Sequence, residues 1–177
     1  KGWHVLGGGF INAMLIAGAA IYSYGAFVTP IEQEFGLTRE QANIGIQVLY
    51  VSMMVWAVLV GRWLERYSAK YFSIAGGLAF GLGFLMIYFA ANPLMILIAI
   101  LIPISFGFTA AGPFLENALA ARWFTQMRGR ALGIAAVASS AGGFVMVPIV
   151  GKLIEDYGWR QTTLILAVVI TALILLI

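Results

Sequence analysis

This sequence has few residues with which to do chemistry. One histidine and no cysteine occur in 177 residues, which excludes thiolate nucleophiles, disulfides and Cys-based metal centres. The seven Asp and Glu fall in no nucleophile–base or metal-ligand spacing, and Gly7-Gly8-Gly9 follows no strand and lacks a phosphate-loop lysine. No enzyme activity, cofactor or metal is expected. What stands out is a small set of uncharged polar residues in apolar surroundings. Ser105, Thr109, Gly112 and Glu116 recur at i, i+4, i+7 and i+11, one face of a helix. Asn43, Gln47, Tyr50 and Met54 do the same on another segment, while Asn12, Tyr22, Ser23 and Tyr24 lie on a third and Ser139 and Ser140 on a fourth. Such groups orient a small ligand by shape and hydrogen bonding. The candidate substrate-cavity residues are therefore Asn12, Tyr22, Tyr24, Gln47, Tyr50, Ser105, Thr109, Ser139 and Ser140. For each one the competing reading is packing, back-bonding of Ser or Thr to its own helix, or anchoring of Tyr at an interface.

Composition dictates the elements that carry them. With 62% hydrophobic and 10% charged residues, the chain lies far from the roughly half apolar, quarter charged balance of soluble domains, so it reads as an integral membrane protein. Charge-free windows run Val5–Val28, Gln41–Gly61, Tyr71–Leu115, Ala131–Gly151 and Gln161–Ile177, and a spanning helix needs about 20 apolar residues. Asn92-Pro93 divides the longest window, because proline lacks an N–H and its predecessor disfavours the helical region. Six spans result, at 5–28, 41–61, 71–91, 94–121, 131–154 and 161–177. All must be helical, since a backbone in lipid has to satisfy its own hydrogen bonds. A net charge of +3 with no basic run points to no nucleic-acid partner. With the N-terminus inside, Lys1, Arg62, Arg66, Lys70, Arg122, Arg128 and Arg130 are cytoplasmic and only Arg39, Lys152 and Arg160 are external. The positive-inside rule thus predicts a multi-pass plasma-membrane protein with both termini cytoplasmic. Glu116, six residues before Arg122, is expected to pair with Arg122 or Arg128 rather than carry a proton.

The chain also repeats. Gly61-Arg62-Trp63-Leu64-Glu65-Arg66-Tyr67-Ser68-Ala69-Lys70 aligns at an offset of 90 with Gly151-Lys152-Leu153-Ile154-Glu155-Asp156-Tyr157-Gly158-Trp159-Arg160. Three spans per copy is odd, so the units 5–91 and 94–177 must face opposite ways across the membrane, the inverted arrangement of secondary transporters. The first copy resembles the loop signature G-x-L-A-D-R-x-G-R-K of the major facilitator superfamily: Gly61, Glu65, Arg66 and Lys70 match, whereas Ser68 and Ala69 depart. Phe124, Arg128, Ala131, Gly133 and Ala135 are similar to the pattern leading into the fifth helix of monocarboxylate transporters, with Trp123 for Tyr, and Gln126 and Met127 where basic residues would sit. Tyr24-Gly25-Ala26-Phe27 through Pro30, Glu34-Phe35-Gly36 and Arg39 resemble the first external loop of those carriers and of the bacterial oxalate/formate antiporter group. Gly143, Pro148 and Gly151 resemble an antiporter signature in the fifth span, with Val147 and Lys152 where glycines would stand.

The resemblance implies an all-α six-helix bundle that is the N-terminal half of a twelve-helix carrier, with a C-terminal six-helix half, a small-molecule substrate and the lipid bilayer (a bacterial inner membrane) as partners. It implies an interhelical latch of Gly61, Glu65, Arg66, Lys70, Arg122 and Arg128, and half-to-half packing at Gly133, Gly143, Pro148 and Gly151. Small residues of the fifth span serve equally for ordinary close packing. Transport of a small organic anion by exchange or proton symport is the leading expectation, its countercharge supplied by the other half because no ionisable residue lies near the centre of a span. A carrier for a drug or sugar, and a self-associating channel or scaffold, are the alternatives.

Overall fold

Helices account for almost all of the structure, and their ends can be traced to particular residues. A computed structural model describes residues 2–123 and 127–176. Helix α1 (Gly2–Ala17) passes through a π-turn at Gly18–Tyr22 into α2 (Tyr24–Phe35), which ends at Gly36 in the left-handed region, φ 62°. The first span thus runs beyond the expected limit of 28 and takes in Glu32 and Glu34. Loss of apolar character marks where water begins, while the helix itself continues to the residue that can adopt positive φ. Helix α3 (Arg39–Leu64) starts at a capping box in which Thr38 Oγ1 accepts from the Gln41 N–H and Gln41 Oε1 accepts from the Thr38 N–H. Helix α4 (Ala69–Tyr88) is followed by the turn at Asn92-Pro93, where Asn92 Oδ1 accepts from the Met95 N–H at 2.9 Å.

The fourth span is three pieces: α5 (Pro93–Ala99), a π-turn at Ile100–Ile104 containing Pro103, α6 (Ser105–Ala111), then α7 (Pro113–Trp123) beyond a break at Gly112. Helices α8 (Arg128–Tyr157) and α9 (Trp159–Leu176) are parted by Gly158 alone, φ 82°. Five stretches are long and apolar enough to cross a membrane, and the last, Gly129–Leu176, is the one that Gly158 divides in two. Six passes result among the described residues, as expected, and those residues hold no strand.

Packing sets their directions. Gly77 and Gly81 of α4 meet Ile174 and Thr171 of α9 in descending order, so these helices are antiparallel. Met14 of α1 and Gly18 of the π-turn that follows it meet Gly142 and Met146 of α8 in ascending order, so α1 and α8 are parallel. Gly9 meets Glu116 and Ile16 meets Gly112, which sets α7 antiparallel to α1. The core between them is built on Ile16, Leu49, Phe80, Val150 and Ile170, each almost wholly buried.

The α1–α8 crossing is the closest approach with a clear consequence. A Cβ on Gly142 would collide with the Met14 carbonyl oxygen, which is backbone and cannot swing away, whereas one on Gly133 of the same helix would meet nothing within 4 Å. Gly142→Val is therefore expected to destabilise the bundle by about 1–3 kcal/mol, the usual penalty of overpacking, with Gly133→Val near neutral. Thermal melts of both variants check this, and equal melting temperatures would contradict the crossing.

Candidate functional site

The sequence-derived candidates separate into an exposed set and a buried set. On α3, Gln47 is exposed, Tyr50 is 46% and Met54 71% exposed, and Val51, Val55 and Val58 beside them are also uncovered. This helix is the least buried of the long apolar stretches, at 22%. Gln47 stands about 12 Å along the helix from Arg39, a depth at which an amide facing lipid is disfavoured. Tyr22 is likewise exposed at 44% and leans on Gly143 of α8. On α8, Ser140 is exposed beside Val137 and Phe144, and Ser139 is half-buried.

The buried set is used internally. Ser105 Oγ donates to the Ile100 carbonyl and Thr109 Oγ1 to the Ser105 carbonyl at 2.9 Å, so this polar face of the fourth span is turned into its own backbone. Tyr24 Oη donates to the Ala42 carbonyl at 2.6 Å, pinning α2 to the first turns of α3. It also borders a cavity of about 290 Å³ with Phe27, Gln41, Gly45, Ile100 and Thr163. That cavity is almost wholly apolar and is lined by none of Gln47, Tyr50 and Met54, so its size alone does not make it the substrate site. Asn12 is 6% exposed, with Nδ2 3.4 Å from Ser73 Oγ and Oδ1 without a partner.

Two clamps hold helix ends. Arg122 Nη1 donates to the Leu64 carbonyl at 3.1 Å, tying the end of α7 to the end of α3. The expected pairing of Glu116 with Arg122 does not form: both Glu116 oxygens lack a hydrogen-bond partner, because six residues carry the chain about 240° around the helix and the two side chains leave on different faces. The Arg128 side chain lies outside the described residues. Glu65, Arg66 and Lys70 are exposed, and the one ion pair among the described residues is Arg160 with Glu34, Nη2 to Oε1 at 2.6 Å. That guanidinium also donates to the Tyr88 and Ala90 carbonyls, each at 2.9 Å, while Trp159 Nε1 donates to Glu34 Oε2 at 2.7 Å. Spans one, three and six are thereby joined at their shared end, a role the sequence reading missed although Arg160 closes the second repeat copy. Of the residues expected to pack half against half, Gly143 is covered by Tyr22 within this chain, whereas Gly133 and Gly151 have open space and Pro148 is exposed.

Comparison with known proteins decides the family. The model of the Major Facilitator Superfamily matches residues 10–177. The chain belongs to the Major Facilitator Superfamily. Among relatives of this superfamily member, an uncharacterized MFS-type transporter of Bacillus subtilis, YcxA, is 23% identical over 86% of this chain and 38% of its own length. Monocarboxylate transporter 12 of Mus musculus is 25% identical over 93% of this chain and 34% of its own, and monocarboxylate transporter 13 of Rattus norvegicus 25% over 94% and 38%. The chain thus spans about a third of the length of these curated relatives. It is an all-α, multi-pass membrane unit of that superfamily.

The Arg160 clamp yields a graded test in this superfamily member. Arg160→Ala takes the donor from two helix-end carbonyls and from Glu34 Oε1 and is expected to destabilise by ~1–2 kcal/mol, against less than ~1 kcal/mol for Glu34→Gln, which keeps an acceptor on a half-exposed pair. Melting curves giving the opposite order would contradict the clamp.

Proposed function

We propose that this chain is the N-terminal six-helix half of a secondary transporter that moves a small organic anion, a mono- or dicarboxylate, by alternating access. The observation that carries the reading is the uncovered stripe Gln47, Tyr50 and Met54 on the least buried helix of a Major Facilitator Superfamily member. A polar stripe in mid-span calls for a water-filled cleft or a partner, and the superfamily resemblance offers both in a second six-helix half. Gln47 and Tyr50 on this stripe, with Tyr22, Ser139 and Ser140 on the first and fifth spans, are the substrate-facing candidates left exposed or half-buried. They are uncharged, so they set shape and orientation, and the substrate's countercharge comes from the other half. The relatives named monocarboxylate transporters and the Trp123 to Ala135 pattern favour the carboxylate class, by exchange or by proton symport.

The units 5–91 and 94–177 act as inverted three-helix repeats, a reading supported by the offset of 90 between Gly61–Lys70 and Gly151–Arg160. The exposed Glu65, Arg66 and Lys70 latch this half to the other at the cytoplasmic face, where both termini lie, in a bacterial inner membrane. The proposed latch also takes in Arg122 and Arg128. Gly61, Gly133 and Gly151 leave room for close approach of the other half, and Pro148 is exposed to it.

Two measurements test this. Full-length parent protein in proteoliposomes should exchange at least one of labelled oxalate, formate, lactate and pyruvate saturably. Transport of a sugar or drug with no carboxylate moved would overturn the substrate class, and no flux of any solute would overturn the carrier itself. Within this chain a Cβ on Gly61 meets only Phe114 Cζ, at 3.9 Å, so Gly61→Leu should insert and melt normally while transport falls by about tenfold or more, equivalent to some 1.4 kcal/mol of barrier. Unchanged transport would remove the loop from the mechanism.

A further inference from the structure

Side chains leave one sizeable space in the bundle unfilled. The cavity of about 290 Å³ beside Tyr24 is bordered by the first, second and fourth spans, and Phe84 and Ile87 of α4 and Thr163 of α9 also reach it. Small residues make the room: Ala19 and Ala20 of the first π-turn and Ala42 and Gly45 of α3 all lie on its wall. Protein interiors hold few voids larger than a water molecule, because wall atoms with nothing opposite them forfeit their dispersion contacts. A space of this size is therefore better explained by an occupant than by loose packing.

The chemistry of the wall decides what that occupant is. Its three polar side chains are Tyr24, Gln41 and Thr163, and their oxygens are already engaged. Tyr24 Oη donates to the Ala42 carbonyl and Thr163 Oγ1 to the Arg160 carbonyl, each at 2.6 Å, while Gln41 Oε1 accepts from the Thr38 N–H at 3.0 Å. A buried water needs about 2–4 polar partners, and an apolar cavity of about 150 Å³ stays dry yet accepts benzene. The present cavity is about twice that size, so it repels water and a carboxylate alike and suits a hydrocarbon.

The hydrocarbon at hand is the bilayer in which a multi-pass chain sits. Ile44 lines the cavity and is 42% exposed, so the space reaches the outer surface of α3. Leu94 and Ile98, exposed on the facing stretch of the fourth span, keep the surroundings apolar. Gln41, by contrast, stands in the first turn of α3 next to the exposed Arg39 and Glu40, where the protein meets water. One end of the cavity thus matches the level of a headgroup and the remainder matches a fatty chain. We propose that the cavity is a binding site for one acyl chain of a bilayer phospholipid, which enters past Ile44 and leaves its headgroup at the Gln41 end. The bound chain supplies the contacts that Ala19, Ala20, Ala42 and Gly45 are too small to make, and so braces α2, α3 and α5 against one another. The inference needs a bilayer and is independent of which solute is carried.

The test places the full-length parent protein in liposomes doped with a phosphatidylcholine that carries a photoreactive diazirine in one acyl chain. After illumination, peptide mapping should find adducts on Tyr24, Ile96 and Ile100. The last two are only 7% and 6% exposed, so lipid that merely surrounds the protein does not reach them. Val168, 61% exposed on α9, reports that surrounding lipid. Ala20→Leu fills the cavity from the first span and should cut the Ile96 and Ile100 adducts by about tenfold, a loss of some 1.4 kcal/mol of affinity, with Val168 adducts unchanged. Ala42→Leu, which fills it from α3, serves if the first variant does not accumulate, and the wild-type pattern decides by itself if neither does. Adducts confined to exposed residues such as Ile44, Leu94 and Val168 would overturn the proposal. So would Ile96 and Ile100 adducts that both filling variants leave intact. Labelling of those two residues by a free alkyl diazirine but not by the phospholipid would replace the lipid with a small apolar solute and contradict the assignment.

Discussion

In lipid every backbone N–H and C=O must find its partner inside the protein, and that constraint accounts for most of what these helices do. At both π-turns a side chain fills the gap in the helical ladder. At the π-turn of the first span Ser23 Oγ donates to the Gly18 carbonyl at 2.7 Å. At the second π-turn, around Pro103, the Ile100 carbonyl is served by Ser105 and the Leu101 carbonyl by Trp56 Nε1 at 3.3 Å. At helix ends the same task falls to guanidinium groups, Arg122 on Leu64 and Arg160 on Tyr88 and Ala90. Three of the nine candidate cavity residues, Tyr24, Ser105 and Thr109, are occupied with backbone carbonyls.

The exceptions then become informative. Among the described residues, and apart from one oxygen of Glu32, the buried side-chain polar atoms left without a partner are Asn12 Oδ1 and the two Glu116 oxygens, and they sit on one junction. On the outside, the polar stripe of α3 is equally out of place for a lipid-facing helix. The stripe is the irregularity that supports the proposed cleft.

Much of the fold was legible because charges and prolines are rare enough to act as punctuation. Asn92-Pro93 marks the turn between the third and fourth spans, and Arg62 to Lys70 marks the loop between the second and third. Helix ends were less legible, since a charge-free window reports the edge of the apolar layer while Gly36, Thr38 and Gly158 set the actual stops. Side-chain roles were harder still. Ser105 and Thr109 have ligand-like spacing, yet spacing does not say whether a hydroxyl points outward or back at its own carbonyl. Glu116 was expected to pair with Arg122 from proximity along the chain, and rotation about the helix defeats that. The Gly18–Gly142 crossing depends on how two distant helices approach, a relation that a single sequence does not contain.

The central claim is that the α3 stripe faces water and a second half rather than lipid. Its most direct measurement is the reactivity of single cysteines with a membrane-impermeant thiol reagent, placed in a cysteine-free background of the full-length parent at Tyr50 and, as a lipid-facing reference on α9, at Val168, which is 61% exposed in this chain. The account predicts that the cysteine at 50 is labelled and that its labelling changes when substrate is added, while the cysteine at 168 stays unreactive. Equal silence at both positions would contradict it.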